Sequence, residues 1–438
     1  MRTTSEAMGN EATLHAGYFT APLAEADPEA WAATRGELAR QQEQIELIAS
    51  ENLVSRAVLE AQGSVFCNKT VEGYPGARYY GGADYADAIE RLGIERACRL
   101  FGCSYANLQP HSGSNANQAV YQALLEPGDT ILSMDLAAGG HLSHGHPANQ
   151  SGRAYRIVPY GVRRGDERLD YDAVETLAVE HRPRLLIAGG SAYPRALDFA
   201  RLRAAADQAG AWFLVDMAHF AGLVATGLHA NPFPHAHVVT TTTYKSLRGA
   251  RGGLILADDA KLAKKLNTGL FPGVQGSVML HAVAGKAVCL GEALKPEFRA
   301  YNEAVVANAR VLAESVASAG LRVVSGGTDT GLMLVDLTPK GLRGDRATDS
   351  LEAAGLTCNK NTIPFDPHPP EDPSGLRLSS NAGTTRGFGV EEFRQVGAWI
   401  GEVLDGLAAN PADNGAIESR VRAEVSALCR RFPIYPEL

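Results

Sequence analysis

No run of apolar residues in this chain reaches the length needed to cross a bilayer, and no block of lysine and arginine marks a nucleic-acid surface. Cysteine is sparse: Cys67, Cys98, Cys103, Cys289, Cys358 and Cys429 include no Cys-x-x-Cys pair. That scatter argues against a zinc or other metal site and against a disulfide-stapled secreted fold. It points to a reducing compartment, the cytoplasm. The stretch 1–28 carries acidic residues and lacks a sustained apolar core, so it does not read as a secretion signal. Internal repeats and low-complexity linkers are absent too. The net charge of −8 leaves small molecules as more natural partners than polyanions.

What is present is an ordinary globular composition, 45% hydrophobic and 21% charged, over 438 residues. That length suffices for a large and a smaller domain. Strand-like runs at Thr130–Met134, Leu185–Ala188, Trp212–Asp216, 238–241 and Gly253–Ala257 alternate with helical patterns. The alternation predicts α/β architecture with a mainly parallel sheet. Pro296 opens a long amphipathic helix with Phe298, Tyr301, Val305, Val306, Ala309 and Leu312 on one face. Strands are then expected at 321–324, Leu332–Asp336 and 377–379, forming a small α+β unit. The expected division is an N-terminal arm over 1–30, a large domain over 31–294 and a small domain over 295–438.

The most informative segment runs from Val238 to Gly253. A β-branched run ends near Lys245, then breaks into a loop rich in glycine and arginine. A strand that delivers a lysine into a cleft, beside hydroxyls and cations, suits the Schiff-base lysine of pyridoxal phosphate. Desolvation and neighbouring charge lower such an amine's pKa and make it nucleophilic. Taken alone, a strand-end lysine reads better as a solvent-facing one. A second strand changes the balance: Trp212-Phe213-Leu214-Val215 ends in Asp216, with His219 three positions on. A carboxylate there can keep the cofactor's pyridine nitrogen protonated. The structural alternative is an N-cap for the next helix. Ser112, Gly113 and Ser114 open a further helix and offer N–H groups and hydroxyls to a phosphate. An ordinary capped helix explains them equally well. His141 follows a Gly-Gly turn and suits stacking on a planar ring, although a lone histidine is more often structural.

Longer motifs join these. They are Ile45-Glu46-Leu47-Ile48-Ala49-Ser50-Glu51-Asn52, Glu72-Gly73-Tyr74-Pro75-Gly76 with Arg78-Tyr79-Tyr80-Gly81-Gly82, the segment from His111 to Asn117, and Pro234-His235-Ala236-His237 leading to Lys245. With them the chain resembles the serine hydroxymethyltransferases, fold-type I (aspartate aminotransferase-like) pyridoxal phosphate enzymes. The resemblance covers about Trp31 to Tyr435. It implies that Lys245 carries the cofactor, Asp216 holds its ring nitrogen, His141 stacks on the ring, and His219 and Ser191 sit near its 3-hydroxyl. Ser112, Gly113 and Ser114 would hold the phosphate, with Gly276 reaching in from the other subunit of a homodimer. Ser50 and Arg377 would clamp the amino-acid carboxylate, a task suited to a planar guanidinium. Glu72 and Tyr80, again from the other subunit, would handle protons at the hydroxymethyl group, and Thr242 would join the catalytic set. Leu136, Tyr79 and Asn361, together with Glu72, would line a tetrahydrofolate pocket.

Departures from that resemblance cluster in its motifs. Thr70 stands where the family has tyrosine, Tyr244 where it has histidine, Ala83 where it has cysteine, and Ser379-Ser380-Asn381-Ala382 replaces Gly-Thr-Pro-Ala. Losing a ring at position 70 opens space beside the substrate's Cα. An added carbon in a closed pocket costs about 1–3 kcal/mol. The expectation is therefore transfer of a one-carbon unit between an α-substituted serine, α-methyl-L-serine giving D-alanine, and tetrahydrofolate. Ordinary serine/glycine hydroxymethyl transfer is the alternative. A threonine aldolase or transaldolase would have lost the folate contacts, and a non-catalytic scaffold would have lost Lys245 or Asp216; both sets are retained.

Overall fold

The computed structural model describes residues 17–438. Its central sheet is built from β1 (Tyr105–Asn107), β2 (Thr130–Met134), β3 (Arg156–Tyr160), β4 (Leu185–Ala188), β5 (Trp212–Asp216), β6 (Val238–Thr242) and β7 (Gly253–Ala257). The spatial order is β1-β7-β6-β5-β4-β2-β3. From β6 to β3 all pairings are parallel, while β7 runs antiparallel to both β6 and β1. Strands buried on both faces are mostly apolar, as β4 and β7 are; β6 is also buried throughout, and its Thr240, Thr241 and Thr242 hydroxyls are hydrogen-bonded. The period of two then sorts side chains between two cores. Phe213, Val215, Val239, Leu254 and Leu256 enter one cluster, while Leu214, Val238, Ile255 and Ala257 enter the other. The helix Gly113–Leu124 covers the second face with Ala116, Ala119, Val120 and Leu124.

The predicted β2, β4, β5 and β7 have the expected limits, and β6 extends one residue further, to Thr242. Sequence patterning overlooked β1 and β3. β1 has three residues and sits at a sheet edge, and β3 contains Pro159, a residue tolerated only at an edge.

A helix with proline in its first turn, Pro296–Ser318, leads into a second sheet. This sheet comprises β8 (Arg322–Val323), β9 (Leu332–Asp336), β10 (Asn359–Asn361) and β11 (Gly375–Ser379), ordered β8-β9-β11-β10 and antiparallel throughout. The strand expected over 321–324 is cut short because Ser325 adopts φ 57° in a 3-10 turn. The backbone N–H of Ser325 donates to Glu167 across 2.9 Å. Packing differs from the expected division in one respect. Ile45–Glu46 pairs in parallel with Leu356–Thr357, so Ile45 and Leu47 belong to the C-terminal cluster although the sequence places them in the large domain. The helix Pro28–Glu43 begins inside the expected 1–30 arm. Residues 1–16 of that arm lie outside the described residues. Among the described residues no helix is long and apolar enough to cross a membrane.

One buried ion cluster shapes a hairpin that matters below. Gly73–Tyr74 pairs with Ala77–Arg78. Arg78 donates to Asp87 at 2.8 Å, to Glu90 at 2.5 Å and to the Gly73 carbonyl at 2.7 Å. The Arg78 and Glu90 side chains are 4% and 1% exposed, so neither charge has water to fall back on. Replacing Arg78 by methionine leaves Glu90 buried without its cation, and leaves Asp87 only the exposed Arg91 at 3.2 Å. Urea unfolding of Arg78→Met is expected to show a loss of about 3–5 kcal/mol. An unchanged midpoint would mean the cluster does not hold the hairpin.

Candidate active site

Parallel β5 and β6 lie side by side, with Asp216 in register with Thr240. Both strands therefore end at the same sheet edge, where parallel sheets place their ligand clefts. Asp216 ends β5, and Lys245 follows β6 by three residues. The Lys245 Nζ lies 3.0 Å from His219 Nε2. Burial pushes the Lys245 amine down to about 8; the Asp216 charge opposes this, and Arg377 and Arg251 add to it. Burial, with the nearby Lys245 charge, also holds His219 well below the usual histidine range. The neutral imidazole is therefore a hydrogen-bond partner that orients the amine without taking its proton.

Asp216 does not cap the following helix, whose N-cap is Phe220. Burial, the largest influence, pushes its carboxyl up, but the hydrogen bond and charge interaction with His144, the interaction with His141 and the hydrogen bond from Asn117 together outweigh it and hold it well below the usual range. Oδ2 accepts from His144 Nε2 and Asn117 Nδ2, both at 2.9 Å, and Oδ1 accepts from the Ala218 N–H at 3.1 Å. Asn117 is itself fixed by the Thr240 hydroxyl at 2.7 Å. It also donates to Ser143 Oγ at 3.0 Å, and Ser143 meets His141 Nδ1 at 2.7 Å. Because the Ser143 N–H also donates to that Nδ1, the His141 ring carries its proton on Nε2. Burial lowers His141 to about 4, so the ring is neutral. Sequence reasoning missed Asn117 and His144 as partners of Asp216. Asn117 ends the His111–Asn117 motif and His144 follows His141 by three positions, yet nothing in their spacing assigns them to a carboxylate 99 and 72 positions away.

One cavity of about 400 Å³ joins Ser112, Gly113, Ser114 and His141 with Ser191, Asp216, His219, Thr242 and Lys245. Tyr244 lines it too. Ser112 caps its helix by accepting from the Asn115 N–H at 3.1 Å. A Cβ on Gly113 would stand 2.7 Å from Thr242 Cγ2, so a larger residue would press the cradle against β6. Arg377 is fixed by the Ser191 carbonyl at 2.9 Å and by Asn359 at 3.2 Å. Burial lowers it to about 10, which leaves it a cation at neutral pH. Ser50 is half-buried beside Asn52, whose Nδ2 donates to the Lys245 carbonyl at 2.9 Å.

Other predicted site residues lie apart from this cavity. Glu72 neighbours Ser277 (3.5 Å) and Gly276, forming a patch with Thr70, Tyr79 and Tyr80, all three exposed. Tyr79 packs edge-on against Phe271 and is 73% exposed. Leu136 is 40% exposed in a short turn, and Asn361 is half-buried in β10. Among the described residues no cluster of histidine, cysteine and carboxylates could hold a metal ion.

The cavity fits pyridoxal phosphate. It offers a desolvated amine, an anchored carboxylate, a helix N-terminus and a buried His219 Nδ1 that no protein group bonds. A serine hydroxymethyltransferase family model matches residues 23–400. The chain is 65% identical over 418 residues to a serine hydroxymethyltransferase of Paramagnetospirillum magneticum, spanning 95% of this chain and 98% of the relative. A relative of the same description from Rhodospirillum centenum is 63% identical, covering 96% and 98%. One from Jannaschia sp. is 60% identical, covering 96% of each.

The amine's depressed pKa sets a pH dependence. The neutral form is the nucleophile, so with a pKa near 8 about one amine in ten is reactive at pH 7, and most are above pH 9. Capture of pyridoxal phosphate by the cofactor-stripped chain, followed by stopped-flow absorbance, should accelerate as pH rises through about 8. It should level off above about pH 9, whereas a rate that goes on rising about tenfold per pH unit to pH 10 would show an ordinary solvated lysine.

Proposed function

The chain belongs to the serine hydroxymethyltransferase family of pyridoxal phosphate- and tetrahydrofolate-dependent transferases, and from that premise we propose that it moves the hydroxymethyl carbon of L-serine to tetrahydrofolate, leaving glycine. The observation that carries the reading is the single cavity in which Lys245, His219, Asp216 and the Ser112–Ser114 cradle converge. Identity of 60–65% to relatives described as serine hydroxymethyltransferases supports serine as the donor.

In this reading pyridoxal phosphate, when bound, supplies an electron sink for charge developing at the substrate's Cα. The chain's own groups do the rest. Asp216 stays anionic through its three hydrogen bonds and would hold the ring nitrogen. Arg377, still charged and oriented by Ser191 and Asn359, binds the substrate carboxylate together with Ser50. His219 hydrogen-bonds Lys245 Nζ across 3.0 Å and orients the amine. The exposed patch of Thr70, Glu72, Tyr79, Tyr80 and Gly276 completes the cavity of a second copy in a homodimer, where Glu72 and Tyr80 move the hydroxymethyl proton. Tetrahydrofolate then lies between Glu72 and Tyr79 of one subunit and Leu136 and Asn361 of the other. The free cysteines suit a reducing cytoplasm.

A second donor, α-methyl-L-serine, is favoured by one observation. Position 70 carries a small threonine, and Tyr244 reshapes the cavity wall from the lysine side. Initial rates with L-serine and α-methyl-L-serine, each with and without tetrahydrofolate, separate the readings. Hydroxymethyl transfer requires that L-serine cleavage accelerate strongly on adding tetrahydrofolate; equal rates would instead indicate an aldolase. Should α-methyl-L-serine also react, Thr70→Tyr is expected to lower its kcat/KM about 10–200-fold more than that for L-serine. Equal losses on both donors would leave Thr70 without a role in selecting the α-substituent.

A further inference from the structure

Lys286 is a buried cation outside the cavity, and the chemistry described so far makes no use of it. It sits in the helix Leu280–Ala293 and is 1% exposed. Its ammonium makes three hydrogen bonds, all to backbone carbonyls: Leu108 at 2.7 Å, Pro110 at 2.9 Å and Gly253 at 3.1 Å. An ammonium has three N–H donors, so Lys286 is fully satisfied without any acidic side chain. Burial pushes its pKa down to about 7, so the charged form is costly at this depth and the three carbonyls are what favour it.

The three carbonyls belong to segments with one thing in common. Leu108 and Pro110 lead directly into His111-Ser112-Gly113-Ser114, the expected phosphate cradle. Gly253 begins β7, where the loop that carries Lys245 returns to the sheet. The Gly253 N–H also donates to the Pro110 carbonyl at 3.0 Å. A Cβ on Gly252 would stand 2.1 Å from Lys286 Cε, so the lysine stem fills the space against that loop. The Thr243 hydroxyl donates to the Ala250 carbonyl at 2.6 Å and bridges the same loop at its other end.

We propose that Lys286 is a positioning residue for phosphate recognition: it ties the entrance of the Ser112–Ser114 cradle to the exit of the Lys245 loop and so fixes the distance between phosphate and amine. This rests on the reading that the cavity takes pyridoxal phosphate. Loss of the tie is felt by a ligand that must engage phosphate site and amine at once, and that separates it from general stabilisation.

The test compares pyridoxal phosphate with pyridoxal, which lacks the phosphate. Dissociation constants for both aldehydes are measured on the cofactor-stripped wild type and on Lys286→Met by equilibrium dialysis. The variant should bind pyridoxal phosphate about tenfold more weakly or worse, while its affinity for pyridoxal changes by less than about threefold. Lys286→Gln, which keeps an N–H donor, should fall between the two and carries the same comparison if the methionine variant does not fold. Equal affinity of variant and wild type for pyridoxal phosphate overturns the proposal, as does equal weakening of both aldehydes. A wild type that binds neither aldehyde overturns the cofactor reading, and this proposal with it.

Discussion

The site depends on one constraint: two parallel neighbours, β5 and β6, end at the same edge and bury opposite charges there. The register that sets Asp216 against Thr240 places a carboxylate and an amine in one desolvated space. Neither charge is tolerable alone at that depth. Asp216 is stabilised by two side-chain donors and one backbone N–H, while Lys245 partly gives up its proton affinity to burial. The compromise is chemically useful, because it yields an anion that remains an anion and an amine close to its neutral form at neutral pH.

Around that pair, polar groups form a chain rather than a set of isolated contacts. The Thr240 hydroxyl orients Asn117, Asn117 reaches both Asp216 and Ser143, and Ser143 fixes the His141 ring. The ring's tautomer and the carboxylate's charge thus share one support. Such networks impose geometry at low dielectric; here His144 Nδ1 is the one buried side-chain polar atom of the network left without a protein partner. The glycine of the cradle is explained by the same closeness, since a Cβ on Gly113 would press against Thr242.

Much of this was legible in the sequence. The apolar runs of β2, β4, β5 and β7 have the composition of strands buried on both faces, and their limits could be read directly. Asp216 and Lys245 stood out because charged residues rarely end such runs. What escaped was set by distant partners. β1 has only three residues, and β3 is interrupted by Pro159. Ile45 joins the C-terminal core through a pairing with Leu356 more than 300 positions away, which no local period encodes. Asn117, His144 and Lys286 have unremarkable neighbours in sequence, and only the fold shows what they hold. The expected α-substituted donor rested on Thr70, a residue exposed and apart from its own chain's cavity, whereas the relatives favour serine.

The most direct test of the central claim is chemical mapping of the amine. The protein is incubated with pyridoxal phosphate, reduced with borohydride, digested and analysed by mass spectrometry. The account predicts one pyridoxyl-phosphate adduct per chain, on Lys245. An adduct on Lys286 or on a surface lysine, with Lys245 unmodified, would contradict it.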